Sequence, residues 1–278
     1  MTYRRAVLPV ALAGLVLGLG SPAAHAAPSG WSAASIAART ASAAKAAAQT
    51  TAGHAAAAPA ATAKVAGSLV AQYSFDGGRA GSVIDESGHG HTLSLVSAAG
   101  GTVRSVAHRN GQAVKFPAKC TNAKATCPHA ALRSPSTALL NPGTRSLAFG
   151  ASVLLAPSQT TKGQNIVQKG YSTASSQWKM QVDGKAGKPS CVLVGANPGI
   201  KIVRSDVSVA DGHWHTIECR RQGTTFSVLV DGVVRGTRTV SAKLSIANQR
   251  PLSVGGKGAY SDNDQFQGIL DDVWVRVG

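Results

Sequence analysis

From Gly67 to Gly278 the sequence breaks into short β-branched runs, each closed by Gly, Pro, Asn or Asp. Candidate strands are Leu69–Phe75, His91–Val96, Ala113–Phe116, Ser146–Leu155, Asn165–Lys169, Gln177–Asp183 and Cys191–Val194. They continue with Lys201–Arg204, His213–Arg221, Thr225–Val230, Val233–Val240, Leu252–Gly255 and Gln267–Val277. Turn signals at this regular, short spacing are the mark of an all-β sandwich or barrel. No stretch of helical length repeats its apolar positions at the helical period. The clearest local signal is Phe226–Arg235, where Asp231-Gly232 supplies the two residues of positive φ that a type I′ hairpin turn requires. The expectation is a two-sheet antiparallel sandwich over residues 67–278.

The first 66 residues have a different texture. Arg4-Arg5, the apolar run Ala6–Gly20 and Ala24-His25-Ala26 form the charged, apolar and small-residue parts of a signal peptide over residues 1–26. Thr2–Leu8 matches a twin-arginine pattern only loosely, so general secretion is expected. Beyond that run no apolar stretch is long enough to cross a bilayer as a helix. Residues 27–66 are rich in alanine, and only Trp31, Ile36 and Val65 could anchor a buried face. Nothing there offsets the entropy of ordering the chain, so this segment reads as a disordered linker.

Export permits disulfides. Cys120 and Cys127 bracket a short polar insert and are expected to pair as a local staple. That leaves Cys191 with Cys219, each within a strand-like run, expected on neighbouring strands. Zinc would need ligands in tighter clusters than this spacing offers.

Charge narrows the partners. The chain carries 28 Lys+Arg against 12 Asp+Glu. A net positive surface concentrates polyanions. For an exported protein these are acidic polysaccharides, wall polymers or lipid headgroups, and the lack of any nucleic-acid motif argues against DNA or RNA. The alternative is that the charge serves only solubility or adhesion to the cell wall.

Several fragments, in order, resemble the laminin-G-like branch of the concanavalin A-like lectins and glucanases. They begin with Tyr73-Ser-Phe-Asp-Gly and Asp85-Glu-Ser-Gly-His-Gly-His-Thr-Leu, followed by Gly111-Gln-Ala-Val-Lys-Phe116 and Asn165-Ile-Val-Gln-Lys-Gly170. Asp211-Gly-His-Trp-His215, Leu229-Val-Asp-Gly232, Leu252-Ser-Val-Gly-Gly and Phe266-Gln-Gly-Ile-Leu-Asp271-Asp-Val-Trp-Val complete the set. The resemblance implies a jelly roll of two antiparallel sheets, with ligands on the concave face or its rim loops. The family spans lectins, adhesion modules, hydrolases and lyases, so the fold does not by itself fix the function.

The resemblance also implies one structural Ca²⁺, held by Asp76 and Asp271 with main-chain oxygens near His89 and Gly111. Oxygen ligands drawn from both ends of the chain suit that hard cation. Asp271 falls at period two with Ile269, Val273, Val275 and Val277 and so reads as sharing their apolar face. A carboxylate there must be paired or coordinated. The alternative is a carboxylate that caps backbone N–H groups. The pairs His89/His91 and His213/His215 read as turn or strand residues rather than metal ligands, and His215, alternating with Ile217 and Cys219, reads as core-facing.

On Gln177–Asp183, Trp178, Met180 and Val182 share one face and read as core. Gln177, Lys179 and Gln181, with Lys169 on an adjacent strand, make the candidate ligand-facing surface. Tyr171 and Tyr260 lie in loops and offer stacking rings. Retaining glycosidases need two carboxylates about 5–5.5 Å apart. Jelly-roll glucanases take them from alternate positions of one strand, and that pattern is missing here. Glu86 lies in a loop and Glu218 stands alone on its strand. No nucleophile elbow occurs either. The function expected is therefore a monomeric, secreted, non-catalytic module for a glycan or another anionic extracellular polymer. The alternatives are a polysaccharide lyase and an adhesive module for a protein partner.

Overall fold

A computed structural model describes residues 67–278, apart from residues 80, 121–126, 174–175 and 197–198. The signal peptide and linker read from the sequence lie outside the described residues. The strands are β1 (Ser68–Tyr73), β2 (Gly78–Arg79), β3 (Ser82–Val83), β4 (Leu93–Ala98), β5 (Arg104–His108), β6 (Gly111–Lys115) and β7 (His129–Ser134). Then come β8 (Leu147–Leu154), β9 (Gly163–Gly170), β10 (Gln177–Asp183), β11 (Lys188–Val194) and β12 (Lys201–Arg204). The last are β13 (Trp214–Gln222), β14 (Thr225–Val230), β15 (Val233–Thr239), β16 (Leu252–Val254) and β17 (Ile269–Val277). Helix among the described residues is confined to two 3₁₀ turns, Ala138–Leu140 and Pro157–Gln159.

Two antiparallel sheets result. One has the order β15-β14-β13-β8-β17-β6-β5, with β1 also paired to β17, making eight strands. The other has nine, in the order β12-β11-β10-β9-β16-β7-β4-β3-β2. The alternation of each strand decides which side chains meet between the sheets. Trp178, Met180 and Val182 are fully buried there, as their spacing predicts. Phe149 on β8 packs against Trp178 across the core, ring centroids 4.7 Å apart, and the indole N–H donates to the Leu140 carbonyl at 3.2 Å.

The hairpin is as read: Asp231 and Gly232 have φ of 51° and 76°, and they join β14 to β15. Both disulfides are formed, Cys120–Cys127 and Cys191–Cys219. The second corrects an expectation. Cys191 is on β11 of the nine-stranded sheet and Cys219 on β13 of the other, so the bond crosses the core instead of joining neighbours.

Four strands escape the sequence reading: β2 and β3 are only two residues each, and β5 and β7 are missed for different reasons. β5 is an edge strand, mostly exposed, with little apolar content to mark it. β7 lies inside its sheet but is built on Ala130-Ala131, small residues of low β-propensity.

Candidate functional site

The register of the nine-stranded sheet sorts the expected site residues. Lys179 lies opposite Gln168 on β9 and Val192 on β11. Gln168 in turn faces Ser253 on β16, which faces Arg133 on β7. One row on the outer face of the sheet therefore reads Val192, Lys179, Gln168, Ser253, Arg133. The neighbouring row holds Ser190, Gln181 and Asn165. Gln177, Lys179 and Gln181 are on this face, as their alternation predicts.

Lys169 is not, and its assignment is corrected. It lies opposite Trp178 and so points to the inner side, with no exposed surface. Its ammonium donates to Asn141 Oδ1 at 2.9 Å and to the Asn248 carbonyl and Oδ1 at 2.7 and 3.1 Å. Burial pushes its pKa down to about 8, while three oxygen acceptors match the three N–H groups of the charged form. Lys169 is a structural tie between β9 and two loops.

The two outer rows carry polar atoms that nothing satisfies. Gln168 Oε1, Ser253 Oγ, Arg133 Nε, Ser190 Oγ and both amide atoms of Asn165 are buried without a hydrogen-bond partner among the described residues. Asn165 and Ser190 have no exposed surface at all. Each such group costs about 1–3 kcal/mol when left unpaired. Native proteins keep few of them, and their clustering on one face needs a reason.

The loop over residues 255–265 folds against this face. Asn165 N–H donates to the Asp264 carbonyl at 2.7 Å. The Asp264 carboxylate bridges Lys179 at 3.0 Å and Lys257 at 2.9 Å. Burial pushes the Asp264 carboxyl up, but the two ammonium groups outweigh it and hold the pKa below the usual range. The Tyr171 hydroxyl donates to the Lys257 carbonyl at 3.2 Å, and the Arg250 guanidinium stands 5.7 Å from the Tyr171 ring centroid. Tyr260 is 44% exposed. Burial and a hydrogen bond with Tyr171 push its phenol above the ordinary range. Tyr171, Lys179 and Tyr260 are thus brought together, while Gln177 ties back to the Gly170 carbonyl and Gln181 to Asp183.

Arg133, Arg250, Lys257 and Asp264 complete the site. The sequence marks two of them: Arg133 is one of the basic residues that bracket the Cys120–Cys127 loop, and Asp264 ends the polar Tyr260-Ser-Asp-Asn-Asp loop. Arg250 and Lys257 were missed, and the only signal for Lys257 is the irregular Gly255-Gly256-Lys257-Gly258 segment.

The residues expected at a calcium ion are otherwise engaged. β17 carries a bulge between Asp271 and Trp274, with Asp272 at a φ of 47°. The bulge shifts the alternation, so Leu270 and Val273 face the core and Asp271 does not share their face. This corrects the period-two reading. His108 Nδ1 donates to Asp271 Oδ2 at 2.6 Å and the Asp272 N–H to Oδ1 at 2.7 Å. His108 itself stacks on Trp214, centroids 3.9 Å apart. Asp76 Oδ1 accepts from the Gln112 N–H at 2.6 Å. These carboxylates thus each accept from N–H donors. Among the described residues no group of three or more His, Cys, Asp or Glu could hold a metal ion. His215 keeps the side of Ile217 and Cys219, opposite Val153, but at the end of its strand, where its ring lies between Asp211 and Asp231 and is part-exposed.

A family model described as the concanavalin A-like lectin/glucanases superfamily matches residues 129–276. Among solved structures, the fold is similar to domain 4 of AbnA, a GH43 extracellular arabinanase from Geobacillus stearothermophilus, in complex with arabinotriose. The TM-score is 0.56 at 16% identity, covering 76% of this chain and 93% of that one. It is also similar to the binding domain of Paraclostridial Mosquitocidal Protein 1, with TM-score 0.53 and 13% identity over 75% of this chain and 48% of that one. The binding domain of botulinum neurotoxin DC in complex with SialylT gives 0.54 at 10% identity, over 75% and 48%. The chain spans about half the length of these toxin domains. No curated protein sequence matches the chain. At such identities the likeness establishes the architecture, a two-sheet jelly roll.

Proposed function

We propose, from the premise that the chain belongs to the concanavalin A-like lectin/glucanases superfamily, that it is an exported, non-catalytic module binding an extracellular glycan, acidic ones above all. The observation that carries this reading is the cluster of Tyr171, Tyr260, Arg250 and Lys257 beside the outer face of the nine-stranded sheet, where Tyr260 is 44% exposed. Tyr260 supplies an exposed ring for stacking, and Arg250, Arg133 and Lys257 favour a carboxylate or sulfate on the sugar. Similar domains solved with arabinotriose and with SialylT support a glycan ligand, while the botulinum neurotoxin DC domain is also solved with rat synaptotagmin II.

The test is affinity electrophoresis of the full chain through gels carrying neutral or acidic polysaccharides, with the same polymers assayed for new ends. Retardation without new ends is expected. Tyr260→Ala should weaken it about tenfold, the scale of about 1.4 kcal/mol expected for one stacking contact. New unsaturated or reducing ends would make the protein an enzyme. Absence of both retardation and products would end the glycan reading.

A further inference from the structure

The outer face of the eight-stranded sheet carries a second aromatic group that the site above does not use. A Cβ built on Gly150 of β8 would lie 2.6 Å from each of Cε2, Cζ2 and Nε1 of Trp274. That point lies obliquely off the Nε1–Cζ2 edge of the indole, so this edge packs over Gly150 and only the absence of a side chain there makes room for it. Val273 and Val275, its neighbours on β17, point into the core and are fully buried, whereas Trp274 is partly exposed.

Polar, largely planar groups surround the indole. Gln72 on β1 is its cross-strand partner. Glu218 lies opposite Gly150 on β13 and is paired with Arg220 at 2.6 Å. Leu69, Gln72, Asp272, Trp274 and Arg276 line one cleft. The Asp272 side chain is 49% exposed. The other tryptophan on this face, Trp214, is covered by the stacked His108 ring and offers no comparable platform.

A partly exposed indole in a cleft with amide, carboxylate and guanidinium groups presents apolar surface to sugar C–H groups and hydrogen-bonding partners to the equatorial hydroxyls around them. An apolar protein surface would leave those polar groups unpaired. We infer that Trp274 is the platform of a second glycan subsite, for an uncharged sugar ring, on the sheet opposite the first. The domain would then hold polymer on both faces and cross-link it.

Tryptophan emission of the full chain, titrated with soluble arabinan, xylan and β-1,3-glucan, reports on this subsite. At least one polymer should shift the emission. Trp274→Ala should abolish the shift and weaken binding of that polymer about tenfold, while leaving retardation by acidic gels intact. Tyr260→Ala should do the reverse. Gly150→Ala keeps the indole but forces it off β8, and with an unchanged far-ultraviolet circular dichroism spectrum it should lose the same binding as Trp274→Ala. Turbidity of polymer mixed with wild-type protein should disappear with either Trp274→Ala or Tyr260→Ala. Unchanged emission with all three polymers, or equal binding by Trp274→Ala, would overturn the subsite. Failure of the acidic gels alone would overturn the first face and leave this one standing.

Discussion

His215 is held from both sides: Nδ1 lies 2.7 Å from Asp231 Oδ2 and Nε2 lies 3.1 Å from Asp211 Oδ1. Two carboxylates can both be satisfied only when both ring nitrogens carry protons, so the geometry selects the imidazolium. Burial pushes the pKa down, but the hydrogen bonds that the ring donates to Asp231 and Asp211 outweigh it and raise it above the ordinary value of 6.5. A raised folded-state pKa gives stability that is complete below the unfolded value and is lost as pH rises through the folded one. Melting temperature should therefore fall as pH climbs from 6 past that raised pKa, and His215→Gln should remove the step. The clamp lies at the rim, so its worth is that of a screened pair, about 1 kcal/mol or less. For a domain of this size the step is then about 2–4 °C at most. A melting curve independent of pH over that range would disprove the clamp.

Between the sheets, the Cys191–Cys219 bond joins β11 to β13, so it resists separation of the two layers and not the slip of neighbouring strands. Chain-entropy arguments give about 3–4 kcal/mol for a closed loop of this length. The double variant Cys191→Ala/Cys219→Ala should melt about 6–16 °C lower. Losing the Cys120–Cys127 staple, with its separation of 7 residues against 28, should cost less. Equal losses would remove the cross-core role. The same elements show what the sequence makes legible. Asp231-Gly232 announced its turn because the needed φ values exclude most residues, and Trp178, Met180 and Val182 announced the core because alternation is a local property. The inward turn of Lys169 was hidden. It depends on register against Trp178 and on the bulge where Asn165 and Val167 face consecutive residues of β10. Asp271 failed in the same way, through the bulge in β17. Rows of unpaired atoms running through Asn165, Gln168 and Ser253 become visible only when β9, β10 and β16 lie side by side.

Across the whole molecule, charge is distributed unevenly along the chain. All 12 acidic residues lie within residues 67–278, and so do all but five of the 28 basic ones (Arg4, Arg5, Arg39, Lys45 and Lys64), which leaves +11 on that segment. Much of the acid is already spent internally: Asp85 accepts the N–H groups of Gln72, Ser87 and His91, and Asp264 is shared by two lysines. These pairings leave the net charge at +11, and they leave most of the remaining basic side chains without an internal counter-charge. Screening distinguishes the two faces. The Debye length shrinks from about 10 Å at 0.1 M salt to about 3 Å at 1 M, whereas stacking on an indole or phenol is insensitive to it. Retardation by acidic polysaccharide should therefore fall at least tenfold between about 0.05 M and about 0.5 M salt, and Arg250→Gln with Lys257→Gln should flatten that dependence. Retention by neutral polymer through Trp274 should hardly change over the same range. Equal salt sensitivity for both polymers would mean that net charge alone draws them, with neither face discriminating.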